Sequence, residues 1–213
     1  MYLSLVKKDF KIVLRGNLGI LVAQMLFILI IISVNMGIVG YGVMVTAFGW
    51  QLLLSVSTEE KKSRSLALLI AMPYEKGKII TTRYVSPMLG FAGITLIYEG
   101  LALITNMNDF FIIKPLTYDV IAITMCAYAL FISITVPLYL ILSDSVVRGI
   151  TIFLILGTVW IGYFLWNNIN IRNSLLTMTF ITNHFHIVCI IVSIISLVIS
   201  RTISLQIFKK IEY

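Results

Sequence analysis

The chain carries very little charge for its length. Only 12% of its 213 residues are Asp, Glu, Lys or Arg, whereas 60% are hydrophobic. An ordinary soluble domain is about 25% charged, so this composition excludes a soluble domain of useful size. The apolar runs are instead long enough to cross a bilayer, whose core of about 30 Å requires about 20 helical residues. We therefore predict one all-α transmembrane domain covering residues 1–213.

Cysteine and histidine are also scarce, with two of each. Cys126 and Cys189 fall inside predicted membrane spans, where unpaired buried thiols are the usual state. His184 and His186 have no third ligand within reach in the sequence, which disfavours a metal site. The Lys76–Lys78 stretch, Lys-Gly-Lys, does not form a phosphate-binding loop of the Gly-x-x-x-x-Gly-Lys type. We predict no catalytic residue, no metal and no cofactor on this chain.

Long apolar runs are what the sequence does contain. Six of them are candidates for transmembrane helices, and the last two are short enough to need flanking residues for a full crossing. The six runs are Asn17–Val34, Ile38–Val56, Val85–Thr105, Val120–Leu142, Ile150–Trp166 and Phe185–Ile199.

The basic residues are distributed unevenly between the two sides of this arrangement. With both termini inside, the cytoplasmic segments hold 14 of the 16 Lys and Arg residues, and only Lys114 and Arg172 lie outside. Cytoplasmic loops of membrane proteins are enriched in Lys and Arg, so both termini are predicted to be cytoplasmic. The net charge of +7 is then a topology signal. No basic patch with interleaved aromatics suggests nucleic-acid binding.

Residues 1–15 are predicted to form an amphipathic helix at the inner membrane surface. At helical spacing, apolar side chains share one face and basic side chains share another, which suits contact with lipid phosphates. Two roles stay open for this helix, a simple membrane anchor and an elbow that also braces a cytoplasmic partner. The apolar face holds Leu3, Val6, Phe10, Val13 and Leu14, and the basic face holds Lys7, Lys8, Lys11 and Arg15.

The segment Ser57–Arg83, which we call the island, concentrates the charge of the chain. It contains six of the sixteen basic residues and three of the nine acids. Ser57 to Glu60 has capping-box spacing, which predicts a short helix from Ser57 to about Met72 with an apolar ridge of Leu66, Leu69 and Ile70. Pro73 would end it. A capped helix with an apolar ridge favours a docking element over a merely solvated loop.

Two further sites are candidates for function. Asp144 and Arg148, between the fourth and fifth runs, form a shorter charged segment predicted to be a second cytoplasmic contact. Glu99 is the one acid well inside a run, about 21 Å from its inner end. An intramembrane carboxylate is costly, so Glu99 either lines the route of a cationic or zwitterionic substrate or is structurally paired, with Arg172 as one option.

An intramembrane hydrolase is one alternative function that the sequence suggests. Glu59 to Arg64 fits Glu-Glu-x-x-x-Arg and Phe180 to His184 fits Phe-x-x-x-His, two motifs of CAAX-type membrane proteases. The third motif fails, because His186 is followed four residues later by Ile190. The predicted topology also puts Glu60 and His184 at opposite membrane faces, so they could not share a water or a metal. A channel or scaffold without an ATPase is the other alternative.

The island and its surroundings resemble the small permease subunits of ABC-2-type, ATP-binding-cassette exporters. The resemblance covers essentially the whole chain, including the amphipathic start and the basic end Phe208–Lys210. One departure is Met72, where Leu is usual. The matching stretches, in order, are Glu59-Glu60-Lys61-Lys62-Ser63-Arg64, Met72-Pro73-Tyr74-Glu75-Lys76 and Ile79-Ile80-Thr81-Thr82-Arg83-Tyr84.

This resemblance implies a function and a set of partners. The island would be the coupling helix that docks into a cytoplasmic ATPase subunit, two copies of which would serve two permease chains, either identical or paralogous, in a bacterial cell membrane. ATP and Mg²⁺ would bind the ATPase. Small members resemble exporters of bacteriocins or amphipathic toxin peptides, with drugs and lipids left open. The residues expected to couple to the ATPase are Glu59, Glu60, Lys61, Arg64, Leu66, Leu69, Ile70, Pro73, Tyr74 and Lys76.

Overall fold

The fold is all-helical throughout the residues that the structure, a computed structural model, describes: 2–16, 37–62, 76–108, 116–143, 145–154 and 185–210. The first predicted run and most of the fifth lie outside these residues. The helices are α1 (Tyr2–Gly16), α2 (Gly37–Lys62), α3 (Lys76–Asn108), α4 (Tyr118–Ile141), α5 (Ser145–Leu154) and α6 (Phe185–Lys210).

Three helices of the described part are long and apolar enough to cross a membrane. They are Lys76–Ile104 within α3, Tyr118–Ile141 in α4 and His186–Lys210 within α6. The predicted helical membrane domain is therefore confirmed, while the count of six spans stays a prediction. The third and sixth runs were predicted too short, because Lys and Arg are good helix formers whose charged ends reach the interface while the helix continues.

The predicted helix start at Ser57 is wrong. α2 continues without interruption to Lys62, so Ser57 to Glu60 form its last turns and not the cap of a new helix. Thr58 donates its hydroxyl proton to the carbonyl of Leu54, four residues back, as hydroxyl residues inside helices do. A capping box acts only where the chain before it leaves the helix, and here the apolar helix simply continues.

α1 confirms the predicted N-terminal helix and packs on the rest of the protein. Leu5 and Val6 are buried, and Phe10 packs against the buried Leu52 and Val56 of α2. Lys7 and Lys11 lie exposed, one helical turn apart. The apolar face of α1 therefore packs against helices of the same chain. Whether α1 also braces a cytoplasmic partner stays a prediction.

A chain of hydroxyl groups joins α3 to α6 and α4. Ser200 donates to the carbonyl of Ser133 at 2.6 Å, so the Tyr84 hydroxyl, 2.7 Å away, must donate to the Ser200 oxygen. Ser204, also 2.7 Å from Tyr84, then donates to the tyrosine oxygen. Interhelical hydroxyl bonds of this kind stabilise helix pairs in membranes by about 1 kcal/mol each.

Candidate coupling site

Three helices meet at a cluster of buried charge, which we call the junction cluster: Lys8 and Asp9 on α1, Glu60 on α2, and Arg83 and Ser86 on α3. Lys8 Nζ lies 2.7 Å from Glu60 Oε1, and the Arg83 guanidinium pairs with Glu60 Oε2. The Glu60 side chain is only 4% exposed and that of Arg83 15%. Each oxygen of one carboxylate is thus held by a different helix.

Asp9 adds a second link between α1 and α3. Its carboxylate oxygen Oδ2 accepts a hydrogen bond of 2.8 Å from Ser86, and both residues are buried. Burial raises the pKa of the Asp9 carboxyl, while the positive charge of Arg83 and the Ser86 hydrogen bond oppose that rise. Burial likewise lowers the pKa of the Lys8 ammonium group, opposed by the charge of Asp9.

The junction cluster is formally neutral, with two cations and two acids. Removing one partner from a buried ion pair leaves the other charged and unsatisfied, at a cost of about 3–5 kcal/mol. The three helix segments are therefore tied together, and displacement of one draws the others with it. The cluster suits mechanical transmission between the island and the helices that follow and precede it.

The structure separates the predicted docking charges into two groups. Glu60 points inward to the junction cluster, whereas Glu59 and Lys76 are exposed. The backbone of Lys61 belongs to the last turn of α2. The remaining predicted coupling residues lie outside the described residues: Arg64, Leu66, Leu69, Ile70, Pro73 and Tyr74.

The predicted second cytoplasmic contact is described in part. Arg148 is exposed on α5, while its neighbour Val147 is fully buried and donates its backbone N–H to the carbonyl of Ser143 at 3.1 Å. Asp144 lies outside the described residues. α5 thus presents a basic side chain from a helix whose other side is anchored.

Glu99 has a partner that the sequence did not reveal. Its Oε1 accepts a hydrogen bond of 2.9 Å from the backbone N–H of Leu116, just before α4 begins. Its proposed partner Arg172 lies outside the described residues. On the same stretch of α3, the Thr95 hydroxyl lies 2.6 Å from that of Tyr41, and the rings of Tyr41 and Tyr98 are 5.2 Å apart. Glu99 therefore helps to join α3 to α4 at the end opposite the junction cluster.

Sequence reasoning missed Asp9, Ser86 and the pairing role of Lys8. The available indication was Asp9 itself, the one acid in an otherwise basic amphipathic helix. Such a residue on the buried side requires a buried partner, because an isolated carboxylate is too costly to desolvate. Nothing in the spacing showed that this partner would lie 77 residues away on α3.

The long apolar helices and the buried charges at one end define a polytopic membrane protein. Its sequence matches the family described as ABC-2 family transporter protein over residues 4–209, nearly the whole chain. The chain belongs to this family and is a permease component of an ABC transporter. Members are transport components without catalytic activity of their own and generally work with an ATPase subunit. The chain matches no curated protein and no solved structure.

Proposed function

We propose that the chain is the permease of an ATP-driven exporter, located in a bacterial cell membrane with both termini in the cytoplasm. Two permease copies, identical or paralogous, would assemble with two ATPase subunits. The substrate would be an amphipathic peptide, a drug or a lipid-like molecule leaving the cell. The residues of the island would dock into the ATPase, and Asp144 and Arg148 would form a second contact.

The observation that carries this proposal is the junction cluster. Two residues of the cluster lie near the two ends of the island: Glu60 precedes the island's central segment, and Arg83 follows it. A docked island that is displaced by the ATPase would therefore pull on α2 and α3 together, with α1 as a brace. Closure of the ATPase pair on ATP would in this way rock the spans and change access to a central pathway.

If the island docks into the ATPase through the predicted apolar ridge of Leu66, Leu69 and Ile70, then one charge introduced into that ridge is expected to abolish coupling between the permease and the ATPase. Leu69→Asp is expected to prevent co-purification of a candidate ABC ATPase with this chain and to remove its stimulation, because central apolar contacts dominate binding. Tyr118→Asp is the matched control, since Tyr118 is exposed at the opposite end of the bundle. ATP turnover in the purified complex is the measurement. Equal turnover in wild type and Leu69→Asp, or wild-type chain that binds no ATPase, would favour a stand-alone channel or scaffold.

Glu99 is proposed to line the substrate pathway through the carboxylate oxygen that does not bind Leu116. Glu99→Gln keeps an oxygen for the Leu116 N–H but removes the negative charge. We therefore expect it to reduce transport of a cationic substrate at least tenfold while the yield of folded protein stays unchanged. Glu99→Leu, which also loses the hydrogen bond, is expected to lower the yield as well. Normal transport by Glu99→Gln would assign Glu99 a purely structural role.

A further inference from the structure

Gln51 of α2 is buried without any hydrogen bond for its side-chain amide. The residue is 5% exposed, and neither Oε1 nor Nε2 has a hydrogen-bond partner in the part of the chain that the structure describes. The indole Nε1–H of the preceding Trp50 is in the same condition. Two hydrogen-bond donor groups and one acceptor, at neighbouring positions of one helix, thus have no partner among the described residues.

Buried polar groups without hydrogen-bond partners reduce the stability of the folded protein. An unsatisfied buried polar group costs about 1–3 kcal/mol, and native proteins contain few of them. Leucine or methionine at position 51 would fill a similar volume without that cost. The Gln51 amide is therefore available to a group outside the described residues.

Gln51 lies next to a face of α2 whose residues are only partly buried. Ala47, Leu54 and Thr58, its neighbours one and two turns away on the helix, are all partly exposed. Gln51 also precedes Glu60 of the junction cluster by nine residues, which is about 14 Å along the helix. A movement of α2, transmitted through the junction cluster, would open access to the amide from that side.

The unpaired donor and acceptor of the Gln51 amide restrict which chemical groups could bind there. Phosphates and carboxylates offer only acceptors and would leave Oε1 unsatisfied, and a cation would leave both donors unsatisfied. An amide offers an acceptor and a donor together, and it pairs with another amide through two hydrogen bonds. Phe48 and Leu54, each three residues from Gln51 on the same side of α2, are apolar, which suits an apolar peptide better than a sugar.

We propose that Gln51 is a binding subsite for the backbone amide of a transported peptide. This inference rests on the exporter function proposed above and narrows its substrate to the peptide class. Gln51 would donate to a peptide carbonyl and accept from a peptide N–H.

The test is direct binding of a short apolar peptide to the full chain in lipid nanodiscs without the ATPase. The probe is radiolabelled acetyl-trileucine amide, and its N-methylated analogue lacks the backbone donors. Gln51→Leu and Gln51→Met are expected to weaken binding of the probe about tenfold, since a hydrogen-bonded amide pair is lost. Gln206→Leu, which removes an exposed glutamine of α6, is the matched control and is expected to bind like wild type.

Two further measurements, the unfolding temperature and binding of the N-methylated analogue, separate a binding role of Gln51 from a structural one. Both Gln51 variants are expected to unfold at or above the wild-type temperature, because the Gln51 amide makes no hydrogen bond within the part of the chain that the structure describes. The N-methylated analogue is expected to bind wild type about tenfold more weakly and the Gln51 variants no worse than the parent peptide does. No peptide binding by wild type, equal binding by wild type and both variants, or lower unfolding temperatures for both variants would overturn the proposal. Because the ATPase is absent, its failure to associate is a separate result.

Discussion

Glu60→Ala is expected to destabilise the protein by about 3–5 kcal/mol, because it leaves the cations Lys8 and Arg83 with Asp9 as the one remaining acid of a largely buried cluster. Glu59→Ala provides the matched control. Glu59 precedes Glu60 by one residue and is exposed, and exposed charges contribute about 0–1 kcal/mol. Thermal or denaturant unfolding of the purified variants measures both effects.

A double-mutant cycle assigns the loss to the ion pair. Glu60→Ala combined with Arg83→Ala is expected to cost clearly less than the sum of the two single changes, because each single variant strands the other charge. Glu60→Ala is also expected to lose stimulation of the ATPase under conditions where the variant still folds. If Glu59→Ala and Glu60→Ala destabilise equally, or if the cycle is additive, the junction cluster does not hold the three helices together.

Gly49→Ala is expected to separate α2 from α4. A Cβ atom at this position would overlap the ring and the hydroxyl of Tyr128, which is fully buried. That tyrosine is itself fixed, because it donates to the Pro87 carbonyl at 3.1 Å and stacks on Phe91 with ring centres 5.5 Å apart. Overpacking of this kind costs about 1–3 kcal/mol, and Gly49→Val is expected to cost more.

The matched control lies on the same helix. Gly42→Ala, two turns earlier, places its Cβ where nothing approaches within 4 Å, so it is expected to be neutral or to stabilise the helix by up to about 1 kcal/mol. Removing the obstacle tests the cause: Gly49→Ala with Tyr128→Leu is expected to be no less stable than Tyr128→Leu alone. Equal unfolding temperatures for Gly42→Ala and Gly49→Ala would contradict the close approach of α2 and α4.

The sequence predicted elements that depend on local hydrophobicity. The apolar runs that became α3, α4 and α6 are long, and the amphipathic period of α1 is regular, so their existence follows from composition and spacing alone. Their ends were less predictable, as Lys76 and Lys210 show, because a charged residue at the interface does not stop a helix. The capping motif at Ser57 was wrong for a related reason: the same four residues are compatible with continuing an existing helix.

The candidate site was predictable only in part. The island was recognisable from its charge, and Glu60 was among the residues predicted to couple to the ATPase. The structure buries its side chain between Lys8 and Arg83, which the sequence did not predict. Which acid faces inward depends on the rotation of α2 relative to α1 and α3. That rotation is fixed by long-range contacts such as Phe10 against Leu52 and Val56, and no local pattern carries that information.

The end of the protein that carries the junction cluster is proposed to contact the ATPase. Cysteine crosslinking tests it most directly, in a chain whose Cys126 and Cys189 are replaced by serine. Lys76→Cys and Tyr118→Cys introduce exposed thiols at opposite ends, since α3 spans 33 residues, about 50 Å, before the chain reaches α4. We expect a crosslinked ATPase adduct from position 76 and none from position 118. An adduct from position 118, or none from position 76 in a complex that hydrolyses ATP, would contradict the account.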